Sequence, residues 1–290
     1  MNVDLHLHTT ASDGKLIPEE IVCSAAKLGF NIIAITDHDS VAGIPPALSA
    51  AQAFPELLVI PGIELNTDTP QSEVHILGYF LDYTNTELRL TLQQLRESRQ
   101  LRGEKMVAKL HSLGLDIDWH RVQELAHGAP IGRPHVAQAL LERGYVSSIK
   151  DAFVKYIGRD SPAYMKYTKL TPVESVKLIV TAQGLPVLAH PAKIDNLSKL
   201  LNELKSAGLI GLEVFYDHYP PDIVDSLLAL ANKYELIAMG GSDFHGLEGE
   251  SMALPEITVP QESVEQLFTL AGKHFELERF KSRARESYSS

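Results

Sequence analysis

The feature that most constrains this chain is an alternation. Seven short segments of strand composition are separated by stretches of helical spacing, and their polar residues gather at their C-terminal ends. The segments run Val3 to His8, Ile32 to Thr36, Leu58 to Glu64, Val74 to Leu81, Pro186 to His190, Gly211 to Phe215 and Leu236 to Gly240. Helical patterns fill Pro18 to Lys27, Leu197 to Ala207 and Pro221 to Tyr234. Strands alternating with helices predict a largely parallel sheet in an α/β fold. An open doubly wound sheet also fits, but polar residues at every C-terminal end favour a closed or distorted TIM-like barrel.

The rhythm breaks between the fourth and fifth segments. Long helical patterns take over across residues 85–169, starting with L-R-L-T-L-Q-Q-L-R-E-S-R, so an inserted helical lid subdomain is expected over the C-terminal face of a barrel built from 1–84 and 170–290. From Arg89 to Lys177 there are 15 Lys+Arg against 9 Asp+Glu, in a chain whose formal net charge is -11. An acidic body thus carries a basic insert, and general coating of nucleic acid is excluded. The run R-E-S-R-Q-L-R-G-E-K reads as a solvated helix face rather than a nucleic-acid track. With 44% hydrophobic residues over 290 positions a sizeable core is available. The single cysteine, Cys23, forms no internal disulfide and reads as a small buried apolar residue, which fits a reducing cytoplasm. Neither a leader peptide nor a membrane span is expected, no obligate protein partner is evident, and Ser282 to Ser290 read as a frayed tail.

The placement of the histidines carries the chemistry. His6 and His8 are two apart on one strand, so they share a face, and Asp13 follows in the T-T-A-S-D-G loop. Ile32 to Thr36 runs into Asp37 and His38, Leu58 to Gly62 leads to Glu64, and His75 opens the next strand. His190 ends V-L-A-H, and Asp243 and His245 follow the last strand. So many imidazoles and carboxylates at one rim are a severe desolvation and repulsion problem unless cations bind there. Nitrogen and oxygen donors without thiolates suit Mn²⁺, Fe²⁺ or Zn²⁺, and their number implies two or three ions, with Glu64 the natural bridge. Asp37 stays open between a ligand and a residue that orients His38 or caps the next turn. Such a cluster suits in-line displacement at phosphorus, and Arg133, His135, Arg159 and Lys166 are candidates to hold phosphate oxygens from the lid. His218, after the sixth strand, is a candidate to touch the substrate or protonate the leaving group.

H-L-H at the N-terminus, T-D-H at Thr36 to His38, G-I-E ending at Glu64, A-H-P around His190 and S-D-F-H ending at His245 resemble the PHP family of polymerase and histidinol phosphatase domains. G-R-P-H-V-A from Gly132 is similar to its TrpH/YciV branch. The resemblance implies a distorted (β/α)7 barrel with a trinuclear site. One ion would lie among His6, His8, Glu64 and Asp243, a second among Glu64, His75 and His190, and a third among Asp13, His38 and His245. Glu64, Asp13, His38, Asp243 and His245 would thereby also be the catalytic set. The branch implies cleavage of the 3′ phosphoester of a nucleotide that bears a 5′ phosphate, as a 3′,5′-bisphosphate phosphatase or a 5′ to 3′ exonuclease on short RNA. The competing readings are a phosphatase of another small monoester such as histidinol phosphate, a metal-dependent amide or ester hydrolase, and a non-catalytic metal-binding or polymerase-associated module.

Overall fold

The computed structural model describes residues 1–69, 72–217, 219–246, 254–255 and 258–273. Seven strands form one sheet in chain order: β1 (Val3–Leu7), β2 (Ile32–Ile35), β3 (Leu58–Asp68), β4 (Glu73–Tyr79), β5 (Leu185–Leu188), β6 (Gly211–Tyr216) and β7 (Ile237–Gly241). Four pairings are parallel, whereas β4 runs antiparallel to both β3 and β5. That single reversal departs from the sequence expectation. Its cause is local: β4 starts at Glu73, five residues after β3 ends at Asp68, too few for the crossover that a parallel return requires. Reversal also brings the N-terminal end of β4 to the rim where the parallel strands present their C-terminal ends, and so delivers His75 there.

The sheet curls almost shut. A Cβ on Gly241 would collide with the backbone and Cβ of His6, so only glycine lets β7 approach β1 this closely. Just beyond the strands, the His8 N–H donates to the Phe244 carbonyl at 3.0 Å. At the end opposite the rim, Val3, Leu5, Ile32, Ala34, Ile60, Val187 and Met239 pack together under Val264, Leu267 and Phe268.

Helices cover the outside and build the insertion. They are α1 (Pro18–Lys27), α2 (Ile44–Ala51), α3 (Thr86–Ser112), α4 (Trp119–Leu125), α5 (Arg133–Glu142), α6 (Ile149–Ala152), α7 (Pro172–Thr181), α8 (Leu197–Ala207), α9 (Pro221–Lys233) and α10 (Gln261–Leu270). α3 is the tie between the two regions. Asn85 caps it, accepting from the Leu88 N–H at 3.0 Å. Its first turns place Leu88, Leu92 and Leu95 in the barrel core beside Ile63, Val176 and Leu188. Its last turns place Met106, Val107 and Leu110 in a separate core with Ile117, Val122, Val136, Leu140 and Ile157. At 27 residues it is about 40 Å long, enough to span both.

Cys23 is half-buried on α1 rather than enclosed. Among the described residues no helix is long and apolar enough to cross a membrane. Ser282 to Ser290 and His218 lie outside the described residues.

Candidate metal centre and its basic roof

The period of the strands aims the cluster. His6 on β1 and His8 just past it point to one side, Glu64 arrives on β3 and His75 on β4, and His38, His190, Asp243 and His245 follow strand ends. Glu64 is the hub, wholly buried. Its Oε2 lies 2.7 Å from His38 Nδ1 and 3.3 Å from the Nε2 atoms of His6 and His8. Its Oε1 lies 2.9 Å from His75 Nδ1 and 3.1 Å from His190 Nε2. Asp243 Oδ1 stands 3.2 Å from His6 Nε2 and 3.0 Å from His8 Nε2, and His245 Nε2 is 3.4 Å from Asp13 Oδ1. All nine candidates from the sequence therefore meet at one place. The donor atoms of eight of them form three overlapping groups: His6, His8, Glu64 and Asp243; His38, Glu64 and His75; and His8, Asp13, His38 and His245. His190 falls outside these groups and reaches the cluster through Glu64 Oε1, so His38 stands beside Glu64 and His75 where the resemblance implied His190.

The donor atoms fit divalent cations. His6 Nε2, both ring nitrogens of His8, Asp13 Oδ1, Glu64 Oε2 and Asp243 Oδ1 are buried without a hydrogen-bond partner. Buried polar atoms are normally satisfied, and this many orphans converging on one point call for an ion. Burial opposes ionisation of Glu64, yet His38, His6 and His75 hold its pKa well below the carboxylate range. Burial likewise opposes charge on His6, but Asp243, Glu213 and Glu64 raise its pKa well above normal. In the bare protein His6, His38, His190 and His245, whose pKa values neighbouring carboxylates raise against the opposing effect of burial, compensate the carboxylates with protons, the role that bound cations would take over.

Several residues that hold this centre were absent from the sequence reading. Glu213 on β6, fully buried, takes His6 Nδ1 at 2.9 Å and the His190 N–H at 2.6 Å. Asp4 accepts from the Ser242 hydroxyl at 2.6 Å and backbone N–H at 3.0 Å, and burial pushes its pKa up to about 7. It anchors the loop that carries Asp243, whose φ of 57° is the left-handed conformation non-glycine residues rarely adopt. Tyr216 donates to Asp243 Oδ2 at 3.0 Å. Asp37, which the sequence left open between a ligand and a support for His38 or the next turn, accepts from the Thr9 N–H at 2.7 Å, the Thr9 hydroxyl at 2.8 Å and the Ser12 hydroxyl at 2.6 Å, and so orders the loop bearing Asp13. The available signal was an acid in an otherwise apolar strand, V-D-L and G-L-E-V-F.

Above the centre the insertion builds a roof. A cavity of about 100 Å³ is lined by Asp13, His38 and His75 below and by Arg99, Arg102, Arg133 and Lys169 above. Arg99 Nε donates to Asp39 Oδ2 at 2.7 Å. Arg133 and Lys169 share Glu73 at 2.7 and 3.1 Å; burial opposes its charge, but Lys169 and Arg133 hold its pKa well below normal. Arg102 has no hydrogen bond or ion pair among the described residues and rests on the Tyr167 ring at 4.2 Å. Burial lowers its pKa to about 10, so it remains charged near neutrality.

Four sequence expectations change here. The run containing Arg99 and Arg102 is only in part a solvated face: Arg96, Glu97, Gln100 and Lys105 are exposed, but Arg99 and Arg102 are each only 5% exposed, whereas Leu101 between them is 56% exposed. Lys166 is exposed and does not line the cavity. Arg159 reaches the end of β3 instead, donating to Asp68 at 2.8 Å and to the Thr69 carbonyl at 3.1 Å. His135 accepts the Gly132 N–H through Nδ1 at 3.0 Å, and burial pushes its pKa down to about 4, so it is a neutral helix cap and not a cationic phosphate contact. Arg133 alone of the four cationic candidates reaches the cavity.

Known proteins resemble this architecture. An exoribonuclease acting 5′ to 3′, Rnm from Salmonella typhimurium, is 36% identical over 247 residues, covering 83% of this chain and 84% of its own. A 3′,5′-nucleoside bisphosphate phosphatase from Chromobacterium violaceum is 31% identical over 254 residues, covering 84% and 87%. The crystal structure of a protein from Bifidobacterium adolescentis assigned as a metal-dependent phosphoesterase superposes with a TM-score of 0.84 at 30% identity, covering 92% of this chain and 96% of that one. The family profile of the PHP domain matches residues 4–244, and with the barrel, the rim cluster and these relatives in hand the chain belongs to the PHP domain family.

Proposed function

We propose that this protein is a metal-dependent phosphoesterase that hydrolyses the 3′ phosphoester of 5′-phosphorylated nucleotides, as 3′,5′-bisphosphates or at the 5′ end of short RNA. The observation that carries the reading is the stacking of two sites that call for opposite charges. Orphaned imidazole and carboxylate donors lie below, and Arg102, buried and without an anionic partner, lies above; Asp13, His38 and His75 belong to both linings. A substrate with two phosphates satisfies both. The names of the Salmonella and Chromobacterium relatives support the same substrate class.

In this reading His6, His8, Glu64 and Asp243 would hold one divalent ion, Glu64 and His75 with His190 would hold a second, and Asp13, His38 and His245 would hold a third. When bound, such ions supply Lewis-acid stabilisation of the attacking and leaving oxygens of an in-line displacement. The protein supplies the rest. Glu213 keeps a proton on His6 Nδ1, which leaves Nε2 free as a donor. Arg102, with Arg99, Arg133 and Lys169 around it, grips the non-reacting 5′ phosphate and so sets the 3′ ester over the rim. Residues 85–169 act as the lid that shields this geometry from water.

The test is a hydrolysis panel on Mn²⁺-loaded protein: a nucleoside 3′,5′-bisphosphate, 5′-phosphorylated oligoribonucleotides, plain 5′-monophosphates, histidinol phosphate and an amide. Release of the 3′ group with the 5′ phosphate retained, and weak turnover of monophosphates, is expected. Fast turnover of histidinol phosphate or of the amide with bisphosphates inert would overturn the reading.

A further inference from the structure

Beside the roofed cavity lies a second and larger hollow, a cleft of about 710 Å³ bounded by the segment after His38 (Asp39 to Ala42, with Pro45), by the outer face of α3, and by Tyr83 and Pro130. Two connections tie it to the roofed cavity. Asp39 is the residue after His38 and binds Arg99, which lines the roofed cavity; Pro130 stands two residues before Gly132, which lines that cavity too.

The chemistry of the cleft is that of a single-stranded polyanion with flat bases. Its two arginines, Arg89 and Arg96, lie seven residues apart on α3, about 10 Å along the helix and close to two turns, so they share a face. Arg89 has no hydrogen bond or ion pair among the described residues, and Arg96 is bonded through Nη2 to the Gly128 carbonyl alone. Asp39, the only carboxylate in the lining, is already neutralised by Arg99. The same lining carries apolar Val41, Ala42, Pro45 and Leu92, with Leu90 57% exposed and the Tyr83 ring. Basic side chains spaced along a groove with aromatic and aliphatic faces between them hold single strands with little sequence preference. The cleft, moreover, has several times the volume of the roofed cavity.

We propose that this cleft is the path of the RNA strand on the 3′ side of the scissile phosphoester, with Arg89 and Arg96 on successive backbone phosphates. The inference rests on the reading above and deepens it: a bisphosphate ends at the scissile group and never enters the cleft, whereas an oligoribonucleotide fills it. The cleft therefore separates the two kinds of substrate.

The experiment compares wild type with Arg89→Ser and with Arg89→Ser/Arg96→Ser. Turnover is measured on adenosine 3′,5′-bisphosphate and on a 5′-phosphorylated hexaribonucleotide, and anisotropy of a 3′-labelled hexamer is read in EDTA, where no turnover occurs. For the double variant, kcat/KM on the hexamer and its EDTA affinity are expected to fall roughly tenfold, with kcat/KM on the bisphosphate within about twofold of wild type. Arg89→Ser alone, which breaks no bond of the folded protein, should show about a threefold loss on the hexamer. An equal loss on both substrates, or undiminished hexamer binding in both variants, would overturn the proposal. A wild type inert on both substrates whose hexamer binding still depends on these arginines would overturn the functional reading and retain the cleft as an RNA site.

Discussion

At the barrel rim three carboxylates, Asp13, Glu64 and Asp243, stand among six imidazoles; in the roof, Arg99 pairs with Asp39, Arg133 and Lys169 share Glu73, and Arg102 pairs with no carboxylate among the described residues. The rim gathers buried nitrogen and oxygen donors suited to cations, and the roof gathers more cationic groups than its two carboxylates neutralise. Each imbalance is costly in a buried setting unless a ligand of opposite sign arrives. The lesson is that neither region defines a substrate alone: the rim fixes the chemistry at phosphorus, and the roof fixes which ester is presented to it.

The largest effect belongs to the rim. Glu64→Gln removes the charge at the hub, and both metal content and turnover should fall, turnover by roughly a thousandfold. Elemental analysis beside kinetics checks this, and undiminished turnover would remove Glu64 from the mechanism. The same analysis of wild-type protein should find two to three ions per chain; one or fewer after reconstitution would contradict the cluster. Next is the support beneath it. Glu213→Gln should weaken metal affinity by about 10- to 100-fold in a chelator titration, because the carboxylate that orients His6 is lost while its shape is kept. Unchanged affinity would reduce Glu213 to packing.

In the roof the effect should depend on substrate. Arg102→Met keeps much of the stacking volume over Tyr167 and removes the charge, so kcat/KM for a 3′,5′-bisphosphate should drop roughly ten- to a hundredfold. Arg133→Ala should lower the same ratio less than Arg102→Met, since Glu73 already engages Arg133. A small aryl phosphate, with no second phosphate, should change little in either variant. An equal loss on both substrates would place these arginines at the scissile group or in the structure instead.

A last effect touches stability and leaves the chemistry at the rim aside. His135 is buried with its pKa at about 4, against 6.5 for the free side chain. The unfolded chain therefore binds a proton that the folded one refuses, and stability present above pH 6.5 is lost as pH falls toward 4, by up to roughly 3 kcal/mol. His135→Gln should flatten that part of a pH series of denaturant midpoints. An identical slope in the variant would place the effect elsewhere.

The same comparison explains what could be read without coordinates. Rim residues sit at strand ends, where a two-residue period sets the side a side chain faces and the barrel sets where it arrives; hence His6, His8 and Glu64 were legible one by one. Even the unforeseen reversal of β4 left His75 in place, because a hairpin delivers the start of its second strand to the same edge. In the roof, direction depends on partners far away in sequence. Arg99 finds Asp39 sixty residues upstream, and Arg102 finds Tyr167 sixty-five residues downstream. A charged run on a long helix carries no phase that reveals this, and the exposed Leu101 inverts the usual amphipathic rule. Arg133 sits at the start of α5 and lines the roofed cavity, where its motif in the lid segment led one to look for it.

The most direct measurement is a crystal structure of the Mn²⁺-loaded protein with adenosine 5′-monophosphate, the product common to both proposed substrates. The account predicts the 5′ phosphate within hydrogen-bond distance of Arg102 in the roof, with the ribose 3′ oxygen directed at Glu64 and Asp13 on the rim. A 5′ phosphate seated instead among His6, His8, Glu64 and Asp243, with the roof arginines unengaged, would contradict it.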